Sequence, residues 1–214
     1  MKKTIPTEKE WIEALENRQG KDLQKAFSSA TVAICGLGGL GSNIAVALSR
    51  AGIGKLILID FDRVDITNIH RQQYKANQIG MYKTEALAEN LKEIAPYIEI
   101  ETHTEQITEE NAKSLLSEAE IVCEAFDSAE AKATLANTVL SEMPNKYLVS
   151  ASGMAGLHSA NDIHTRKITN RFYLCGDEET EVSKGTELFS SRVMLCAAHQ
   201  AHMVLRILAN KFEE

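Results

Sequence analysis

Gly36-Leu37-Gly38-Gly39-Leu40-Gly41 carries the first chemical signal in the chain. These residues fit the pattern G-x-G-x-x-G, follow the short apolar run Thr31-Val32-Ala33-Ile34-Cys35 and open the helical stretch Ile44 to Leu48, the two contexts that the pattern needs. Gly36, Gly38, Gly39 and Gly41 let the backbone turn tightly and approach a phosphate, while a helix N-terminus supplies free amides and positive partial charge. Asp60 closes the next apolar run, Lys55 to Ile59. A carboxylate there can accept hydrogen bonds from ribose hydroxyls. Up to this point the chain reads equally well as an NAD-dependent oxidoreductase. The residues beyond Asp60 argue against that: Asp60-Phe61-Asp62 leads into Asn68-Ile69-His70-Arg71-Gln72, and Lys83 comes soon after. A polar loop thus brings an amide, a guanidinium and an ammonium toward one crevice. Arginine makes a forked contact to phosphate oxygens and lysine supplies a compact charge, a set that suits a triphosphate. Asp127 lies just beyond the run Ile121-Val122-Cys123, at the carboxyl end where open α/β sheets bind ligands. A single carboxylate facing phosphates suits Mg²⁺, which is often held by one or two carboxylates plus phosphate oxygens.

The framework under these residues is a series of strands alternating with helices. Helices are expected from Tyr82 to about Ala95, from Thr108 to Ser117 and from Ala129 to Ser141, with strands at Ile98–Thr102, Glu120–Glu124 and Lys146–Ser150. That alternation predicts an α/β fold, a doubly wound, mostly parallel, Rossmann-like sheet. Late strands near Ile163 and at Phe172–Leu174 are expected to be antiparallel, and residues 176–185, dense in Asp and Glu, to be an exposed loop. Twelve of the 16 residues from Val193 to Leu208 are apolar, which predicts a C-terminal helix buried nearly all round. Residues 1–28 read as a charged helical arm: Thr7 and Glu10 form a capping box, and Trp11, Ile12 and Leu15 share a face.

Composition bounds the rest. With 214 residues and 44% apolar content, the chain suits a single domain with a sizeable core. A net charge of −7, from 23 Lys plus Arg against 30 Asp plus Glu, argues against a general nucleic-acid binder. No membrane-spanning apolar stretch and no signal-peptide core appears, so a cytoplasmic protein is expected. Cys35, Cys123, Cys175 and Cys196 lie far apart, with no C-x-x-C pair, so neither a zinc ribbon nor a disulfide framework is expected.

Taken together, Gly36 to Gly41, Leu58-Ile59-Asp60-Phe61-Asp62 and Asn68-Ile69-His70-Arg71-Gln72 resemble the ThiF/MoeB/HesA family, relatives of ubiquitin-activating enzymes, over about residues 15 to 150. Leu174-Cys175-Gly176-Asp177 is similar to the short branch linked to thiamine biosynthesis. The resemblance implies adenylation: Mg-ATP is bound, and the C-terminal glycine carboxylate of a small ubiquitin-like sulfur carrier ending in Gly-Gly attacks the α-phosphorus, releasing pyrophosphate. It implies that Asp60 holds the ribose, that Asn68, Arg71 and Lys83 grip the phosphates, and that Asp127 holds Mg²⁺. Asn17-Arg18-Gln19 resembles an N-terminal motif of the family whose arginine reaches the neighbouring subunit's ATP. That implies a homodimer with shared sites.

The chain departs from this pattern in lacking paired C-x-x-C zinc ligands. Cys175 precedes a late loop in which some relatives carry a reactive cysteine, and is expected here to be a strand-end core residue. His199 and His202 share a helix face without a third ligand. A family member acting on a tRNA-linked carboxylate is an alternative, against which the net charge counts. Lys83, a cation at a helix N-terminus, is expected to have no structural role, so that its loss should leave the melting temperature without ATP unchanged or slightly raised.

Overall fold

The computed structural model describes residues 5–213. Two helices lead in, α1 (Glu8–Gln19) and α2 (Lys21–Ser29). The capping box that starts α1 forms as expected: the Glu10 amide donates to Thr7 Oγ1 at 3.3 Å, and the Thr7 amide donates to the Glu10 carboxylate at 2.8 Å. No residue of α1 is fully buried, yet Trp11 packs on the main core and Gln19 Nε2 donates to the Ala51 carbonyl.

The body then alternates: β1 (Thr31–Cys35), α3 (Gly39–Ala51), β2 (Lys55–Ile59), α4 (Lys83–Ile94), β3 (Glu99–His103), α5 (Glu109–Leu115), β4 (Ile121–Glu124), α6 (Ala129–Glu142) and β5 (Tyr147–Ala151). Each central strand is apolar on both faces because helices cover both. Val32, Ile34, Leu56 and Leu58 join Ile44, Leu48, Leu87, Leu91 and Val204 on one side, whereas Ala33, Cys35, Ile57 and Ile59 meet Leu115, Leu135 and Val139 on the other.

The seven strands are ordered β3-β2-β1-β4-β5-β7-β6, with β6 (His164–Thr169) and β7 (Phe172–Gly176). The late strands form the expected antiparallel pair: β6 returns antiparallel on β7 at the edge, while β7 joins the main sheet parallel to β5. The order reverses at β1, which pairs with β2 on one side and β4 on the other. This is the switch point where α/β sheets open a crevice at their carboxyl ends.

The last helix, α7 (Ser190–Leu208), departs from expectation. Ser191, Met194, Ala198 and His202 form an exposed stripe, while the polar Arg192 and Gln200 are buried. Apolar content does not dictate which face is covered. Arg192 and Gln200 go inside because partners there accept their hydrogen bonds. Among the described residues, no helix is long and apolar enough to cross a membrane.

Candidate active site

The glycine turn lies at the switch point, between the end of β1 and the start of α3. Gly36 has φ +90°, and a Cβ there would stand 2.8 Å from the Ala125 carbonyl oxygen, so the β4–α6 loop packs directly on the turn. None of the described side chains caps α3. Its first-turn amides therefore remain for an incoming anion. Gly41 packs so closely on the Gly36 carbonyl that a Cβ would fall 1.8 Å from its oxygen.

Asp60 is buried at the end of β2. One carboxylate oxygen accepts from the Leu37 amide at 2.6 Å, and the other accepts from the Asp62 amide at 2.7 Å. Lys83, the first residue of α4, is also buried: Nζ lies 2.6 Å from Asp62 Oδ2 and 3.7 Å from Asp60 Oδ2. Burial raises the Asp60 pKa from its ordinary value, while Lys83 and the two amides act in the opposite direction. The expectation that Lys83 has no structural role is therefore overturned. It opposes the charge of the buried Asp60 and pairs with the more exposed Asp62, whose carboxylate offsets the unfavourable helix end.

Arg71 ends a run of turns, residues 66–71. Its Nη2 donates to Asn68 Oδ1 at 2.9 Å, and its stem passes over the glycine turn, with Cγ 3.4 Å from where a Gly39 Cβ would lie. Burial lowers the Arg71 pKa, and the nearby Asp127 carboxylate acts against that shift. Gln72 is buried beside the same turn, its Nε2 3.7 Å from the position of a Gly38 Cβ. Arg71 Nε is buried without a hydrogen-bond partner, a donor left for an acceptor such as a phosphate oxygen. The structure thus brings together the glycines, Asp60, Asp62, Asn68, Arg71, Gln72, Lys83 and Asp127. A triphosphate fits this donor set. Asp127 is exposed at the mouth, and no group of three metal-ligating side chains occurs among the described residues. Mg²⁺ would therefore need phosphate oxygens to complete its shell.

Arg18 is not part of this constellation. It is exposed at the end of α1, beside Gln19, which bonds to Ala51 at the far end of α3. With a rise of about 1.5 Å per residue, α3 separates the two places by roughly 18 Å. Cys175 is fully buried in β7 beside Thr165, and burial pushes its thiol pKa up to about 12. It is a core residue in this conformation. His199 bonds to Thr165 Oγ1 at 3.0 Å.

Residues 13–214 match the ThiF family. The chain belongs to that family. Among its relatives, "Adenylyltransferase and sulfurtransferase MOCS3" of Anopheles gambiae is 36% identical over 132 residues, covering 61% of this chain and 30% of that protein. "Ubiquitin-like modifier-activating enzyme 5" of Caenorhabditis elegans is 49% identical over 78 residues, 36% of this chain and 19% of that one. The chain therefore spans less than a third of the length of these curated relatives. A solved structure of E. coli tRNA N6-threonylcarbamoyladenosine dehydratase with AMP superposes with a TM-score of 0.85 at 22% identity, covering 97% of this chain and 99% of that one. That likeness shows a shared fold.

Sequence reasoning missed the polar residues that hold the ThiF-family site in shape. Tyr74 donates its hydroxyl to the Leu37 carbonyl at 2.7 Å, Gln73 Nε2 donates to Asn43 Oδ1 at 2.7 Å, and Asn43 Nδ2 donates to the Gly39 carbonyl at 2.7 Å. The loop after Arg71 is thereby stitched to the glycine turn. A second omission is the pair Asp177–Arg192. Asp177, expected in an exposed loop, is buried with its carboxylate 2.5 Å from Arg192 Nη2, and also accepts from the amides of Glu179 and Thr180. Burial opposes its ionisation, yet these donors hold its pKa down to about 2. No local pattern signals this pair, because Arg192 lies 15 residues further on, at the start of α7.

Proposed function

We propose that this ThiF-family chain catalyses ATP-dependent adenylylation of the C-terminal glycine carboxylate of a small ubiquitin-like sulfur carrier ending in Gly-Gly. The carboxylate oxygen attacks the α-phosphorus, the bond to the pyrophosphate bridge breaks, and pyrophosphate leaves. No general base is required, because a carboxylate is already ionised near neutral pH. The chain's work is positioning and charge neutralisation. Asp60 orients the ribose through its outward lone pairs. Gly36 to Gly41 and the amides of α3 approach the phosphates, Arg71, Asn68 and Gln72 bind their oxygens, and Lys83 opposes charge on the leaving group. Asp127 would hold Mg²⁺, which supplies further charge neutralisation when bound. The observation that carries this reading is the meeting of an uncapped helix N-terminus with an orphaned buried arginine nitrogen and an exposed carboxylate at the switch point.

Arg18 belongs to the same proposal. Its exposure at the end of α1 remote from the crevice supports a role in the partner subunit's site within a homodimer. The Leu174–Asp177 segment, at the end of β7, supports a carrier of the thiamine (thiazole) pathway. The test is exchange of labelled pyrophosphate into ATP with a Gly-Gly-ending carrier present. Exchange that depends on the carrier and on Mg²⁺ is expected. Silence with the carrier together with exchange driven by tRNA bearing a carboxylate would favour the tRNA alternative, and tight NAD binding without exchange would overturn both.

A further inference from the structure

At the carboxyl end of β4, next to the crevice but making none of the contacts assigned above, lies a charged residue with no exposure at all, Glu124. Burying a carboxylate is costly unless every oxygen lone pair finds a donor. Here the supply is complete. Oε1 accepts from the Phe126 amide at 2.7 Å and from Lys132 Nζ at 3.0 Å; Oε2 accepts from Lys132 Nζ at 3.0 Å and from Ser150 Oγ. Lys132, in the first turn of α6, also donates to the Ala151 carbonyl at 3.0 Å. From the opposite side of the sheet layer, Gln200 of α7 donates to the Glu124 carbonyl at 2.9 Å and to the Val149 carbonyl at 3.2 Å. One carboxylate therefore ties together β4, β5, α6 and the loop between β4 and α6.

That loop is the functional part. Ala125 rests on Gly36 of the phosphate turn, Phe126 is the residue whose amide Glu124 captures, and Asp127 follows it. A bond from Glu124 to the amide two residues on bends the chain back at its exit from β4 and fixes the direction in which Asp127 leaves. We infer that Glu124, with Lys132 and Ser150, is a positioning residue that holds the Asp127 carboxylate at the mouth of the crevice. The inference rests on the proposed binding of Mg-ATP. Its subject is how this chain presents its carboxylate, and Glu124 itself touches neither nucleotide nor metal.

The experiment measures ATP affinity with and without Mg²⁺ by calorimetry in the full chain, so that turnover is not needed. Wild type is expected to bind ATP more tightly with Mg²⁺, and Asp127→Asn to lose that gain. Glu124→Gln should reduce the Mg²⁺-dependent gain by about 10-fold to 100-fold, as losses of groups supporting a metal ligand commonly do, while Mg²⁺-free ATP affinity stays near wild type. In the double variant Glu124→Gln/Asp127→Asn, the first change should add almost nothing to the second, because both act through one group. Additive losses, or an undiminished Mg²⁺ effect in Glu124→Gln, would overturn the inference while leaving adenylylation standing. Absence of ATP binding by wild type would instead overturn the functional reading on which it rests. If Glu124→Gln does not fold, Ser150→Ala keeps the ion pair and removes one donor. It should reduce the same Mg²⁺ effect by about threefold, and no reduction there would count against the inference.

Discussion

Two short cation–carboxylate contacts of nearly equal length, one fully buried and one half-open to solvent, differ in how far the protein itself compensates them. Lys83 lies 2.6 Å from Asp62 and Arg192 lies 2.5 Å from Asp177. On the Asp177 side the contact is closed: both side chains are at most 5% exposed, and one cation meets one carboxylate. The amides of Glu179 and Thr180 with the Thr180 hydroxyl fill the remaining acceptor sites, although Arg192 Nε finds no partner. The Lys83 site is open and unbalanced. One ammonium serves two carboxylates, Asp62 is 51% exposed, and the Asp60 pKa is raised instead of lowered. A contact completed by the protein itself staples structure. A contact left short of compensation next to a crevice is poised to exchange partners with a ligand.

Breaking the closed pair should have the largest effect. Arg192→Met leaves Asp177 buried without its cation, and a loss of about 3–5 kcal/mol in urea unfolding free energy is expected. ATP affinity of the molecules that remain folded should be nearly unchanged. A small stability loss would show that the amides of Glu179 and Thr180 suffice without the arginine.

Lys83→Ala tests the open site and should lower pyrophosphate exchange by about 10²–10³-fold, the usual loss for one preorganised charge-stabilising group. Because Asp60 then stays buried without a cation, the melting temperature of the variant should also fall. Lys83→Ala/Asp62→Ala should recover part of the stability and none of the rate. Recovery of rate in that double variant would remove Lys83 from the phosphates.

Acid separates the two contacts through opposite signs. Asp177 has a native pKa of about 2 against an ordinary 3.8. Its contribution, about 2 kcal/mol from that difference, is present above the ordinary value and is lost as pH falls through it toward the native one. Asp60 is shifted upward, so it favours the native state at low pH, and that advantage is lost as pH rises through its native pKa. Unfolding free energy measured between about pH 5 and 2 should therefore fall less steeply in Asp177→Asn than in wild type. A parallel curve would remove the closed pair as a source of acid sensitivity.

The smallest expected signal is a rescue. Arg18→Ala and Arg71→Ala should each be nearly inactive and folded. An equal mixture, after subunit exchange, should regain about a quarter of wild-type exchange, because half the dimers form and each restores one composite site. No recovery with demonstrated exchange would confine the site to one chain.

These regions differ in how much of them is legible from residue order, and the reason is physical. The turn at Gly36 to Gly41, the strand ending at Asp60 and the helix capped by Thr108 announce themselves within a few residues, because glycine, strand periodicity and capping act locally. The helix boundaries before Pro96 and after Thr7 follow in the same way. Lys83 reads as a phosphate ligand but its pairing with Asp62 does not, since the two are 21 residues apart and meet only when α4 returns to β2. Most of residues 178–185 are exposed, as their polar content predicts, but Asp177 is not, and nothing nearby in the chain indicates the arginine that buries it.

Residue order alone thus dictates the alternation of strands and helices, the phosphate turn and the set of residue types gathered around it, since each depends on periodicity and backbone freedom over short spans. Which charges are compensated emerges only in the packed molecule. Glu124 reads as the unremarked end of a strand until Lys132, Ser150 and the Phe126 amide close around it. The exposed stripe of α7 likewise appears only once the sheet has covered the rest of the helix. Burial and hydrogen-bond satisfaction are properties of the assembled chain, because the cost of removing a charge from water is set by partners drawn from every packed element.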